Sequence, residues 1–154
     1  MNEPLKPLVT QAVRVQLVRD TSVQFRSNRM LCCEHAAEVV DEYTHDWPCE
    51  RVIALALDGH SRIKAVTMLA QGGMHGCALT ARDVFTFALL SQAVTLILGH
   101  NHPSGDPTPS RDDITMTRQL KAAGQVLGIP LLDHVVVARD NAGKLNSCSV
   151  NDYL

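Results

Sequence analysis

The chain has 154 residues, of which 45% are hydrophobic and 19% charged, and its formal net charge at pH 7 is −2. This length and composition predict one domain over residues 1–154 that buries a core without disulfides, with residues 1–12 as a flexible N-terminal segment. The slightly acidic balance argues against a dedicated nucleic-acid binder, which would usually be strongly basic.

Membrane and export functions are also disfavoured. No apolar run approaches the roughly 20 residues that a membrane span needs, and residues 1–11 lack the apolar core of a signal peptide. The five cysteines are an odd number, Cys32 and Cys33 are adjacent, and there is no CxxC pair. Neither a disulfide framework nor a cysteine zinc ribbon is therefore predicted, and we expect a cytoplasmic protein without a membrane partner.

The charges are unevenly distributed near the N-terminus. Residues 1–30 carry five basic and two acidic side chains, whereas residues 31–60 carry one basic and seven acidic side chains. The basic segment can be interpreted as a docking surface, although a solvated strand and turn is the simpler interpretation.

Hydrophobic spacing predicts alternating strands and helices along the chain. In the first half the order is strand, helix, strand, strand, at residues 13–18, 33–45, 51–57 and 62–69. In the second half the order is helix, strand, helix, strand and edge strand, at residues 80–91, 93–99, 110–127, 131–138 and 144–150. Alternation of this kind predicts an α/β fold with one central sheet covered by helices.

Candidate metal ligands cluster between Gly99 and Asp113. His100 and His102 are separated by one residue at the end of a predicted strand, and Asp113 lies in the first turn of the next predicted helix. Two imidazoles and a carboxylate suit a divalent transition metal, most often zinc. Three protein ligands leave a fourth position for water, which is typical of a catalytic zinc site.

A structural interpretation of the same helix start also exists. Ser110 is suited to be an N-cap, and acids in the first turn complement the helix dipole. This accounts for Ser110 and for either Asp112 or Asp113 without a metal, but it does not account for the two histidines. Both interpretations can hold for Ser110, whose hydroxyl can cap the helix and still face the site.

A metal-activated water needs a base, and a carboxylate serves well. The chain has five glutamates, none after residue 50. Glu50 is the best candidate by position, because it opens the predicted strand 51–57, which can lie beside the strand that ends at His100. The alternative is a charge at a strand edge.

The pattern of an upstream Glu50, His100-Asn101-His102-Pro103 and Ser110-Arg111-Asp112-Asp113 resembles the JAMM (MPN+/JAB) metalloprotease motif. The fuller stretch HNHPSGDPTPSRDD is similar to the RadC branch of that superfamily. Further similar segments are residues 17–20, 71–73, 81–85 and 132–135. The resemblance runs from about Val13 to the C-terminus and is to the short, stand-alone members.

This resemblance implies a JAB/MPN fold, related to the cytidine-deaminase architecture, with a central mixed β-sheet flanked by helices. It implies that His100, His102 and Asp113 bind Zn²⁺. Glu50 would act as general acid/base, and Ser110 would help stabilise the oxyanion of the tetrahedral intermediate. His134 is expected to be a buried, hydrogen-bonded histidine rather than a fourth ligand.

The expected function is a zinc-dependent hydrolase that cleaves a peptide or isopeptide bond in a protein or peptide substrate of unknown identity. Two alternatives remain open. One is a non-hydrolytic module associated with DNA repair or mobile elements, for which direct nucleic-acid binding is possible but not favoured. The other is a metal-dependent nuclease that uses the same ligands.

Overall fold

The computed structural model describes residues 29–30, 32–45, 47–72 and 79–154. The predicted strand at 13–18, the N-terminal segment 1–12 and most of the basic segment lie outside the described residues. The elements are α1 (Cys33–Thr44), β1 (Arg51–Leu57), β2 (Ile63–Gln71), α2 (Ala81–Leu90), β3 (Thr95–Asn101), α3 (Arg111–Leu127), β4 (Leu131–Arg139), β5 (Leu145–Ser149) and a short 3-10 helix, Val150–Tyr153.

In the described part of the chain, five strands form one sheet in the order β2-β1-β3-β4-β5. β3 and β4 run parallel, and the other neighbouring strands run antiparallel. A parallel pair needs a crossover connection, and α3 supplies it. The predicted α/β fold with a central mixed sheet flanked by helices is confirmed.

Helices cover both faces of the sheet. One buried cluster joins α1 to one face of β1, β3 and β4, and a second joins α2 and α3 to the opposite face. All seven residues of β1 are therefore buried, as its continuous apolar run predicts. On α3, Met116 faces the core, whereas Ile114 is only half-buried.

Gly99 allows α1 to approach the sheet closely. A Cβ atom on Gly99 would lie 2.2 Å from Cγ2 of Val40, a fully buried side chain of α1. Because valine is stiff about χ1, it cannot easily move aside. Gly99 directly precedes His100, so this contact fixes the depth at which β3 delivers the first histidine.

None of the helices in the described residues is both long enough and apolar enough to cross a membrane.

Candidate metal centre

The predicted ligands come together where β3 ends and α3 begins. His100 lies in β3, which continues to Asn101, two residues beyond the predicted strand end. The loop that follows carries His102 and leads to Ser110, the N-cap of α3. Asp113 lies on the buried side of α3, so the helix directs its carboxylate towards the sheet.

His100, His102 and Asp113 form a group that could hold a metal ion, with their ligand atoms within 4.8 Å of one another. The two Nε2 atoms are 2.9 Å apart, and Nε2 of His100 is 3.4 Å from Oδ1 of Asp113. Ligands about 2 Å from one tetrahedral zinc ion lie about 3.3 Å apart. Nε2 of His102 lies 3.8 Å from Oδ2 of Asp113, so the separations between the two histidines and the carboxylate are compatible with a single ion.

The ring of His102 presents a lone pair to this group. Its Nδ1 lies 2.9 Å from the backbone oxygen of Asp106. A carbonyl oxygen only accepts, so Nδ1 carries the hydrogen and donates it. In the neutral ring Nε2 is then an unprotonated acceptor, which is the form that binds a metal.

The carboxylate of Asp113 also keeps one oxygen available. Its Oδ2 accepts from the backbone N–H of Ser110 at 2.8 Å and from the Ser110 hydroxyl at 2.6 Å. Its Oδ1 is buried and has no hydrogen-bond partner among the described residues. A buried anionic oxygen without a partner is costly, and a cation between Oδ1 and the two ring nitrogens would satisfy it.

Ser110 forms the capping box of α3 with Asp113. Its Oγ accepts from the Asp113 backbone N–H at 3.1 Å while its single hydrogen goes to Oδ2. In this arrangement the hydroxyl has no second hydrogen for an oxyanion. The structural role of Ser110 is therefore visible, and its role at the oxyanion stays a prediction.

His134 is buried and hydrogen-bonded, as expected. Its Nε2 lies 2.8 Å from Nδ1 of His100, and its Nδ1 lies 2.7 Å from the hydroxyl of Thr117. Both ring nitrogens are therefore engaged. Thr117 is fully buried on α3 and was not among the predicted site residues.

Burial keeps two of these rings uncharged. Desolvation lowers the pKa of His100 to about 4, with the Asp113 carboxylate opposing the shift and His102 adding to it. Desolvation also takes the pKa of His134 well below its usual value, and the two neighbouring histidines lower it further. At neutral pH both rings are neutral, so each has one lone pair to give.

Glu50 lies close to the ligands in the strand order. It directly precedes β1, which pairs with β3 so that Val52 stands opposite His100. The expectation that these two strands are neighbours is confirmed. Glu50 is half-buried, its backbone oxygen accepts from Gly72 at 2.8 Å, and its carboxylate makes no hydrogen bond with another described residue. Its role as a base stays a prediction.

Asn101 lies between the two histidines in the sequence, but its side chain hydrogen-bonds to the backbone on either side of Glu50. Its Oδ1 accepts from the Arg51 backbone N–H at 2.8 Å, and its Nδ2 donates to the Cys49 backbone oxygen at 3.2 Å. Asn101 is therefore directed away from the metal group, and it anchors the start of β1. No spacing or motif in the sequence indicates this contact.

Asp112 is exposed and is not part of the metal group, unlike Asp113. Of the two aspartates, only Asp113, three residues after Ser110, belongs to the group, which agrees with the Ser110–Asp113 spacing of the motif.

Fold and site together define an α/β domain with a group of three residues that could hold one metal ion at the end of a central strand. A family model of the RadC-like JAB domain matches residues 30–150. The chain therefore belongs to the RadC-like JAB domain family.

The chain is also similar to proteins named UPF0758. One from Geobacter sulfurreducens is 34% identical over 134 residues, which are 82% of this chain and 58% of that protein. One from Desulforamulus reducens is 33% identical over 146 residues, 94% of this chain and 64% of that protein. The chain thus spans less than two thirds of the length of these relatives.

Proposed function

We propose that this domain is a zinc-dependent hydrolase of the JAMM type that cleaves a peptide or isopeptide bond in a protein or peptide substrate. The observation that carries the proposal is the convergence of two imidazole nitrogens and the unpartnered Oδ1 of Asp113. An N,N,O ligand set with an open position is typical of catalytic zinc sites.

Zinc, when bound, polarises a carbonyl group and makes water more acidic. Glu50 would accept the proton of the attacking water and deliver it to the leaving nitrogen as general acid/base. Its carboxylate is suited to this task, because it has no hydrogen bond to another described residue. Asp113 and the two histidines would hold the ion, and Ser110 would orient the Asp113 carboxylate.

A cavity of about 200 Å³ borders the ligand His102. Trp47 and Arg139 are among its lining residues, and the Trp47 ring packs against the Arg51 guanidinium, 3.1 Å from the ring centroid. Of the candidate ligands only His102 lines this space, which supports the proposal to the extent that a group of a substrate chain can lie beside that residue.

The first experiment measures metal content. The purified native chain, His102→Ala and Asp113→Ala are analysed for bound metals after zinc is offered and excess is removed. We expect about one zinc per chain in the native protein and loss in both variants. A native chain without zinc would overturn the proposal and would bring the non-hydrolytic, DNA-associated alternative to first place.

The second experiment tests the reaction itself. The zinc-loaded chain and Glu50→Gln are incubated with a library of internally quenched peptides and with lysine isopeptide conjugates. Because Glu50→Gln removes the base and no ligand, we expect equal zinc content and lost cleavage. Equal cleavage by both proteins would refute the assigned mechanism. Supercoiled plasmid DNA in parallel reactions tests the nuclease alternative, which would be supported by zinc-dependent nicking without peptide cleavage.

A further inference from the structure

The ring of His100 can present a lone pair or a hydrogen at Nε2, depending on its tautomer, and only the lone pair binds a metal. The ring is completely buried, and an imidazole that binds a metal is neutral. The choice between tautomers therefore depends on the partner of its other nitrogen, Nδ1, which is Nε2 of His134.

The tautomer of His134 is in turn set by Thr117. The Thr117 hydroxyl lies 2.6 Å from the backbone oxygen of Asp113 and 2.7 Å from Nδ1 of His134. A hydroxyl has one hydrogen and a carbonyl oxygen has none, so an oxygen–oxygen distance of 2.6 Å requires that Thr117 donates to Asp113. Thr117 must then accept from Nδ1–H of His134.

The direction of the Thr117 hydrogen bond determines the positions of the ring hydrogens of His134 and His100. With its hydrogen on Nδ1, neutral His134 has a lone pair at Nε2 and accepts from Nδ1–H of His100. The Nε2 atom of His100 is then unprotonated and faces Nε2 of His102 and Oδ1 of Asp113. The opposite order of hydrogens would leave two oxygens 2.6 Å apart without a hydrogen and would place an N–H in the metal group.

We propose that Thr117 and His134 are positioning residues of the metal centre, which hold His100 in the tautomer whose Nε2 lone pair binds the ion. The chain of hydrogen bonds starts at the backbone of Asp113, so one ligand residue sets the tautomer of another. Partners of this kind raise the affinity of metal sites by about 10- to 100-fold. The inference rests on the metal site of the proposed function but not on peptide cleavage.

The first test observes the tautomers directly in the native, zinc-loaded chain. Histidine labelled with ¹⁵N is examined by long-range ¹H–¹⁵N correlation at pH 7.5. We expect the hydrogen on Nδ1 in His100, His102 and His134. A hydrogen on Nε2 of His134 would overturn the inference, and this measurement needs no variant.

The second test compares zinc affinities, measured by competition with a chromophoric chelator. Thr117→Val removes the hydroxyl and should bind zinc about 10- to 100-fold more weakly, whereas Thr117→Ser keeps it and should bind like the native chain. Thr115→Val is the matched control, because the Thr115 hydroxyl makes the same type of bond to the Arg111 backbone oxygen at an exposed position. Circular dichroism verifies that each variant is folded.

The outcomes separate this inference from the proposed function. Equal zinc affinity of folded Thr117→Val and Thr117→Ser would refute the positioning role and leave hydrolysis untouched. Zinc binding with the expected tautomer but without cleavage of any peptide or isopeptide would refute hydrolysis and leave the positioning role intact.

Discussion

The hydrogen bonds between Ser110 and Asp113 give the two oxygens of the Asp113 carboxylate different roles. Oδ2 accepts both hydrogen bonds of Ser110, whereas Oδ1 is buried beside His100 without a hydrogen-bond partner among the described residues. The capping box thus does more than begin α3. It fixes the rotation of the carboxylate, so that Oδ1 lies 3.4 Å from Nε2 of His100 and Oδ2 lies 3.8 Å from Nε2 of His102.

Replacing Ser110 by alanine should therefore have two effects. Loss of the cap should lower the free energy of unfolding by about 0.5–2 kcal/mol, and the freed carboxylate should bind zinc more weakly. Thr80 is the matched control, because it forms the same capping box with Asp83 at the start of α2. Thr80→Ala should lower the free energy of unfolding without changing the zinc affinity. Urea denaturation and chelator competition measure both effects, and unchanged zinc affinity in Ser110→Ala would contradict this role.

The two neighbouring aspartates should respond differently to amide substitution. Asp113→Asn removes the negative charge from the buried ligand oxygen and should abolish stoichiometric zinc binding. Asp112→Asn should bind zinc like the native chain, because Asp112 is exposed and outside the ligand group. Zinc content after gel filtration decides between them. Equal loss in both variants would show that the assigned position of the carboxylate ligand is wrong.

The ligand set was predictable because its residues lie within one short stretch. A strand end, a loop and a helix start bring His100, His102 and Asp113 together through local chemistry: the apolar run of β3, the N-cap Ser110 and the helical direction of α3. The end of α3 was predictable for the same reason, since Gly128 adopts a left-handed conformation with φ 69°.

The supporting contacts were not predictable, because they depend on tertiary packing. His134 reaches His100 only through the parallel pairing of β3 with β4, in which Leu98 stands opposite His134. Asn101 reaches the start of β1 only because β1 and β3 pair in one particular register. Spacing within one element carries no information about register between elements that are distant in the chain.

The stability of the metal-free chain should depend on pH through the buried histidines. Their folded-state pKa values are lowered, to about 4 for His100, from about 6.5 in the unfolded chain. The unfolded chain therefore binds more protons over this range, and stability rises with pH. We expect the free energy of unfolding to be highest above pH 6.5 and to fall as the pH is lowered towards 4.

Urea denaturation of the metal-free chain at several pH values between 4.5 and 7.5 measures this dependence. His134→Gln should reduce the slope, because it removes one of the two buried imidazoles. His60→Gln should leave the slope unchanged, because His60 is exposed in the turn between β1 and β2. A flat profile in the native chain would show that the buried rings do not control stability in this range.

Asn101 should contribute to stability without contributing to metal binding. Asn101→Ala leaves the Arg51 N–H and the Cys49 carbonyl without their partner, which should cost about 1–3 kcal/mol. Zinc content should stay at one per chain, because the amide is directed away from the ligands. Asn146→Ala is a control, since its amide bonds to the Lys144 backbone oxygen at an exposed position. Loss of zinc from folded Asn101→Ala would contradict this separation.

The contact between Gly99 and Val40 should connect packing to the metal site. Gly99→Ala places a methyl group 2.2 Å from Cγ2 of Val40, so α1 and β3 must separate. Overpacking of this kind typically costs about 1–3 kcal/mol. Because His100 is the next residue, the shift in β3 should also weaken zinc binding.

Val40→Ala removes the atoms that the new methyl group would meet, so the double variant Gly99→Ala/Val40→Ala should recover part of both losses. The two substitutions should therefore be non-additive, as expected for residues in contact. Urea denaturation and chelator competition on the native chain, both single variants and the double variant measure the coupling. If the losses simply add, the close approach of α1 does not set the position of His100, and the depth of β3 must be fixed by its pairing with β1 and β4 alone.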